Sequence, residues 1–313
     1  MPMNTVLKTK NLRKEFDGLI AVDDLSLEVY EGEIFGFLGP NGAGKSTSIN
    51  MMCGLLRPTS GSLFLKGKLV KGGDKSLRIK VGVCPQQLIL WSKLTCREQL
   101  VHIADMYGIK QSVSKERADN LLKDMGLEPK KNKLAGTLSG GMQRRMNIIL
   151  ALMHDPEIIV LDEPEAGLDP QSRILVREYI RKLSKDRTVI LTTHNMDEAE
   201  RVCDRVAIID HGKLLDLDTI ENLKKKNRAE NVLEIEFEKN EYSLLAQELL
   251  NKFRIKITAL NNHLIISDDA IFDKLPEILK TFKDNSLKVS EIKLRENSLE
   301  DIFINLTGRR LRE

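Results

Sequence analysis

The segment Gly39-Pro40-Asn41-Gly42-Ala43-Gly44-Lys45-Ser46-Thr47 has the residue types and the spacing needed to hold phosphates. It fits G-x-x-x-x-G-K-[ST], with Gly39, Gly44, Lys45 and Ser46 in the fixed places. A triphosphate needs many donors at short range, and backbone N–H groups are the densest donors a chain has. Glycines let that backbone curl round the phosphates with no Cβ in the way. In this pattern Lys45 reaches the β- and γ-phosphates and the Ser46 hydroxyl ligates Mg²⁺. The segment predicts a site for a nucleoside triphosphate.

Two further stretches handle the same chemistry. Ile158-Ile159-Val160-Leu161 is an apolar run that ends in Asp162-Glu163-Pro164. Asp162 is placed as a second anchor for Mg²⁺, and Glu163, one residue on, as the general base that polarises the attacking water. Leu138-Ser139-Gly140-Gly141-Met142-Gln143-Arg144-Arg145 precedes an apolar-periodic helix running to about Met153. Ser139 caps that helix, and Gly140 and Gly141 leave its first N–H groups bare for an anion. This is a second anion site, although one nucleotide has only one set of phosphates to offer.

These residues need rigid elements behind them. Ile34-Phe35-Gly36-Phe37-Leu38 reads as a buried strand entering the Gly-rich loop, and Lys45 to Leu55 as a helix whose positive end faces the phosphates. The run from Ile158 suits a strand of a parallel sheet covered on both faces, whose ligands sit at the carboxyl ends of the strands. Further strands are expected at Val6–Lys10, Leu25–Val29, Gly61–Leu65, Val81–Cys84 and Thr188–Leu191. Helices are expected at Arg97–Tyr107 and Lys115–Asp124.

Together the motifs closely resemble the ATP-binding subunit of an ABC transporter, across residues 4 to 220 and in that family's order and spacing. The resemblance implies an α/β P-loop NTPase cassette: a RecA-like core with a helical subdomain at about 87–137, the whole spanning residues 4–226. It implies ATP and Mg²⁺ as ligands. It makes Leu138 to Met142 the signature segment, with Met142 where Gln is usual. It also explains the second anion site, because two copies would bind head-to-tail with two ATP between them. Residue by residue it adds Phe16 as the aromatic that stacks on adenine and Gln86 as the sensor of Mg²⁺ and water. It adds Asp169 as the loop acid that communicates across the dimer and His194 as the contact to the γ-phosphate. One position departs from the pattern: Glu165 stands where Thr or Ser is usual, and as an extra acid near the phosphates it is expected to raise a neighbour's pKa.

From residue 227 the pattern changes. Val232–Phe237 alternates apolar and charged residues, a helix pattern covers Tyr242–Phe253, and strands at Ile255–Leu260 and His263–Ile266 are joined by Asn261-Asn262. A helix at Ala270–Phe282 and a strand at Leu287–Leu294 complete a βαββαβ order, the ferredoxin-like arrangement. This predicts a second, accessory domain at 227–313, closed by a terminal helix that Ser298 caps. Such an ending resembles the daunorubicin-resistance type of drug-exporter ATPase.

Composition limits the partners. The net charge is +3, from 49 basic and 46 acidic residues, which argues against a nucleic-acid partner. No stretch approaches the roughly 20 apolar residues of a membrane span. Lys8, Lys10, Arg13 and Lys14 interrupt any leader-like run. The four cysteines, at 53, 84, 96 and 203, show no metal-ligand spacing and read as reduced thiols. The expectation is a cytoplasmic subunit that powers export and sits on the inner face of the membrane through a separate permease, touched near Trp91. The alternative is a soluble ABC ATPase acting on ribosomes or DNA. A single cassette without sustained heptads counts against it.

Overall fold

The strand that feeds the Gly-rich loop sits at the middle of a six-stranded sheet, buried at all five of its residues. The computed structural model describes residues 4–70, 74–226, 231–253, 255–268 and 270–307. They form two units, the first ending at Leu217 and the second beginning at Asp218.

The first unit opens with a long antiparallel hairpin, β1 (Thr5–Phe16) and β2 (Leu19–Tyr30), followed by β3 (Ile34–Leu38) and α1 (Lys45–Met52). Next come β4 (Ser60–Leu65), β5 (Lys68–Val70), α2 (Lys75–Lys80) and β6 (Val81–Cys84). Three helices follow: α3 (Cys96–Met106), α4 (Gln111–Asp124) and α5 (Gly140–Leu150). The alternating run β7 (Ile158–Asp162), α6 (Pro170–Leu183), β8 (Thr188–Thr193), α7 (Met196–Val202), β9 (Arg205–Asp210) and β10 (Lys213–Thr219) leads to the boundary.

β1, β2, β4 and β5 make one sheet in the order β2-β1-β4-β5. The second sheet runs β10-β9-β3-β8-β7-β6, and within it β3, β6, β7, β8 and β9 pair in parallel. Phe35, Phe37, Ile49, Val160 and Ile190 share one core with Leu12, Leu25 and Val29 of the hairpin sheet. The parallel strands read as continuous apolar runs because both of their faces are covered.

β1 and β2 are longer than the alternation in the sequence implied. Register shifts between Thr9 and Leu12 and again around Lys14 break the two-residue period, while Leu12, Val22 and Leu25 still point inward. α1 stops at Met52, short of Leu55, where the Cys53 and Gly54 amides bond back to Ile49 and Met51. α3 opens on a full capping box, with Thr95 accepting from the Glu98 amide and Glu98 reaching back to the Thr95 amide. All four cysteines are buried and unpaired. Burial pushes the Cys53 and Cys84 thiols up, to about 12 and about 11.

The second unit comprises α8 (Ile220–Lys226), β11 (Asn231–Phe237), α9 (Asn240–Leu250), β12 (Lys256–Leu260), β13 (His263–Ser267), α10 (Ile271–Asp284), β14 (Val289–Glu296) and α11 (Leu299–Thr307). Its sheet order is β12-β13-β11-β14, with every neighbour antiparallel. That is the ferredoxin-like arrangement expected from the βαββαβ order. Leu233, Ile235 and Phe237 of β11 pack with Ala246 and Leu250 of α9 and Ile278 and Phe282 of α10. On the other face Ile304 of α11 packs against Val232 and Ile265. Among the described residues no helix is long and apolar enough to cross a membrane.

Candidate nucleotide site

Parallel pairing brings four strand ends level. Leu38 of β3 lies opposite Thr193 of β8, Asp162 of β7 opposite Thr192, and Cys84 of β6 opposite Leu161. The residues just beyond these ends are therefore neighbours: Gly39, Gln86, Glu163 and His194. A cleft of about 390 Å³ opens there, lined by Asn41, Gly42, Gly44, Lys45, Ser46, Thr47, Gln86, Asp162 and Glu163.

The loop needs its glycines. Gly44 caps α1 at φ 97°, and a Cβ there would stand 2.5 Å from the Ala21 carbonyl oxygen of β2. At Gly39 a Cβ would fall 2.1 Å from the Ile209 carbonyl oxygen. Lys45 is buried, and its Nζ donates to the carbonyls of Gly39 (2.9 Å) and Pro40 (3.0 Å), so the loop curls around its own ammonium. Burial lowers the Lys45 pKa, with Glu163 and Asp162 acting against that shift. Ala43 is buried and donates to the Pro40 carbonyl.

Ser46 Oγ donates to Asp162 Oδ2 at 3.1 Å. The other oxygen of Asp162 accepts from the Thr192 hydroxyl, which itself accepts from the Glu163 amide at 3.0 Å. Glu163 takes a left-handed backbone, φ 48°, which is costly for a residue with a Cβ. Its carboxylate is buried, and Oε1 accepts from His194 Nδ1 at 2.7 Å. The His194 ring is half exposed and follows β8 directly. Ser46, Asp162 and Gln86 all line this cleft and carry hard oxygen donors, the chemistry that suits Mg²⁺.

The other expected binding residues lie elsewhere. Ser139 caps α5 by accepting from the Met142 amide. A Cβ built on Gly141 would lie 3.0 Å from Ser172 Oγ and 3.2 Å from Asp169 Oδ2, so the signature segment and the loop acid are adjacent. Asp169 caps α6 by accepting from the Ser172 amide at 2.9 Å, and the Ser172 hydrogen bonds hold its carboxyl below the usual range. None of Ser139, Gly140, Gly141 and Asp169 lines the cleft. Phe16, at the tip of the β1–β2 hairpin, does not line it either. The residue is 44% exposed and Lys14 Nζ stands 4.7 Å from its ring centre, which excludes a core role.

Glu165 differs from expectation. It lines a separate cavity of about 230 Å³ with Arg173, His194, Asn195 and Glu198. Burial, and then the hydrogen bond and charge of Glu198, push its own carboxyl up to about 8, against the pull of Arg177 and Arg173. The raised group is Glu165 itself. Two further residues of the site were not read from the sequence. Thr192 links both acids but precedes His194 as an ordinary strand threonine. Arg144 sits in an Arg-Arg pair on a helix, a pattern that usually marks a solvated face.

A family model described as ABC transporter matches residues 22–166. The linearmycin resistance ATP-binding protein LnrL of Bacillus subtilis is 34% identical over 98% of this chain and 100% of its own length. The chain belongs to the ABC transporter ATP-binding subunits. The bacitracin transport ATP-binding protein BcrA of Bacillus licheniformis is 35% identical over 98% of both chains. Among solved structures, a dimeric ATP-binding cassette in a post-hydrolysis state bound to ADP and Pi superposes with a TM-score of 0.63. It is 28% identical over 68% of this chain and 98% of its own. As an ABC transporter ATPase, the protein binds and hydrolyses ATP.

Proposed function

We propose that this ABC ATPase is the energy-coupling subunit of an exporter, in which two copies close head-to-tail on two Mg·ATP and drive a separate membrane permease from the cytoplasmic face. The observation that carries this reading is the separation of two anion-binding places in one chain. The cleft at the strand ends is lined by the Gly-rich loop, while the N-terminus of α5, with Gly140 and Gly141 in its first turn, lies outside it beside Asp169. A second copy would bring its own α5 to the first copy's ATP. The solved relative is itself a dimer, and LnrL and BcrA carry resistance and transport in their names.

In the cleft, Lys45 exchanges the Gly39 and Pro40 carbonyls for phosphate oxygens, and the loop amides take up the rest of the charge. Ser46, Asp162 and Gln86 would hold Mg²⁺, which when bound neutralises phosphate charge and aligns the terminal phosphoryl group. Glu163 accepts the proton of the attacking water. The His194 Nδ1–H fixes the carboxylate, which leaves Nε2 of the half-exposed ring to contact the γ-phosphate. Phe16 supplies an exposed face for the base. Because each ATP is completed by both copies, ATP shifts the population towards the closed dimer, and hydrolysis reopens it.

The test is Glu163→Gln. Turnover is expected to fall by about 10²-fold or more, and size exclusion with Mg·ATP should show a stable dimer. Rapid turnover by this variant would overturn the assignment of Glu163. Purifying the same variant from native membranes with a multi-span protein at matching stoichiometry supports the permease. Recovery with ribosomal proteins overturns it.

A further inference from the structure

Arg144 is 4% exposed and lies on α5, five residues beyond Ser139. Its guanidinium has five N–H donors, and five backbone carbonyls take them. Nη1 donates to Pro85 (2.9 Å) and Gln86 (2.8 Å), Nη2 to Asp162 and Glu163, and Nε to Pro164 at 3.3 Å. These carbonyls belong to two turns that are 75 or more residues apart in sequence and that carry the residues facing the cleft. Carbonyl dipoles thus solvate a charge that is otherwise costly to bury. The same bonds pin the left-handed backbone of Glu163. One turn along α5, buried Asn147 adds bonds from Nδ2 to the Pro85 and Gln87 carbonyls, and its Oδ1 accepts from the Ile89 amide.

We propose that Arg144 is a positioning residue for ATP hydrolysis, locking the Gln86 turn and the Glu163 turn to α5 so that both keep register with the anion-binding end of that helix. A shift of α5 as it meets ATP then moves Gln86 and Glu163 together rather than one at a time. The guanidinium fits this task because its donors lie in one plane and fork two ways. Lysine has three donors at one point and glutamine two, so neither can hold both turns. This inference rests on the roles given above to Gln86 and Glu163.

The experiment compares Arg144→Lys and Arg144→Gln with the wild-type chain, measuring Mg·ATP affinity by equilibrium binding and steady-state turnover. Loss of alignment without loss of the phosphate cradle should lower kcat by about 10²-fold while KM for ATP stays within about threefold. Lysine should retain more activity than glutamine. Wild-type kcat in either folded variant overturns the proposal. So does a KM rise that accounts for the whole loss, because that would make Arg144 a support of the binding loop. Should one variant not accumulate, the other decides on the same readouts. Glu163→Gln is assayed alongside. If it turns over ATP normally, the assignment of the base is wrong; if it is inactive and Arg144→Lys matches wild type, only the Arg144 proposal falls.

Discussion

Glu165 keeps its proton into the neutral range because burial opposes its charge and the Glu198 carboxyl faces it. Glu198 in turn is held by Arg177 at Nε (3.1 Å) and Nη2, with Arg173 nearby. The folded chain therefore retains a proton that the unfolded chain releases above about pH 4.5. Stability from this group is full below that pH, declines as pH rises towards about 8, and is level beyond. Glu165→Gln keeps the shape and removes the ionisation. It should melt with the wild type at pH 4 and several degrees above it at pH 8.5, read by calorimetry. An unchanged gap between the two pH values would show that the proton is not held there. Gly39, Lys45, Ser46 and Asp162 were legible because phosphate chemistry fixes their types and spacing. Glu165 stood out as an extra acid, but its pairing with Glu198 did not, since that partner lies 33 residues on, and the left-handed turn at Glu163 has no signature in residue type.

At the scale of elements, α5 gives a contrast between neighbouring glycines. A Cβ on Gly140 meets nothing within 4 Å in its own chain, whereas one on Gly141 presses on Ser172 and Asp169. Gly140→Ala should fold with unchanged or slightly raised stability, by about 0.5 kcal/mol, yet lose turnover at least about tenfold if another copy's phosphates must approach that spot. Turnover at the wild-type rate would remove α5 from the opposing site. In the second unit, α11 is tied down by Asp301, which is 3% exposed and accepts from both Nη atoms of Arg295 and from the Ser298 amide and hydroxyl. Burial works to raise its pKa, but Arg295 and Ser298 hold it low, so its stabilisation is present above pH 3.8 and fades below. Asp301→Asn should cost on the order of 3 kcal/mol, seen as a lower denaturant midpoint. The βαββαβ order was readable because the apolar period switches between two and 3.6. The outer halves of β1 and β2 were hidden, because register shifts scramble alternation while the backbone ladder carries on.

Across the whole molecule, each unit has a core of its own, one built around Phe35 and Phe37 and the other around Phe237 and Phe282. ATP contributes to the first. At a hundred times its dissociation constant it should add about 2.7 kcal/mol to that unit and raise its calorimetric transition. A transition unmoved by Mg·ATP would contradict a cleft that binds ATP at the strand ends. All four cysteines lie before residue 217, and the second unit has none. The chain thus contains an intrinsic chemical clock: a thiol reagent stays silent while the first unit is closed and reports each of its openings, blind to whatever the second unit does.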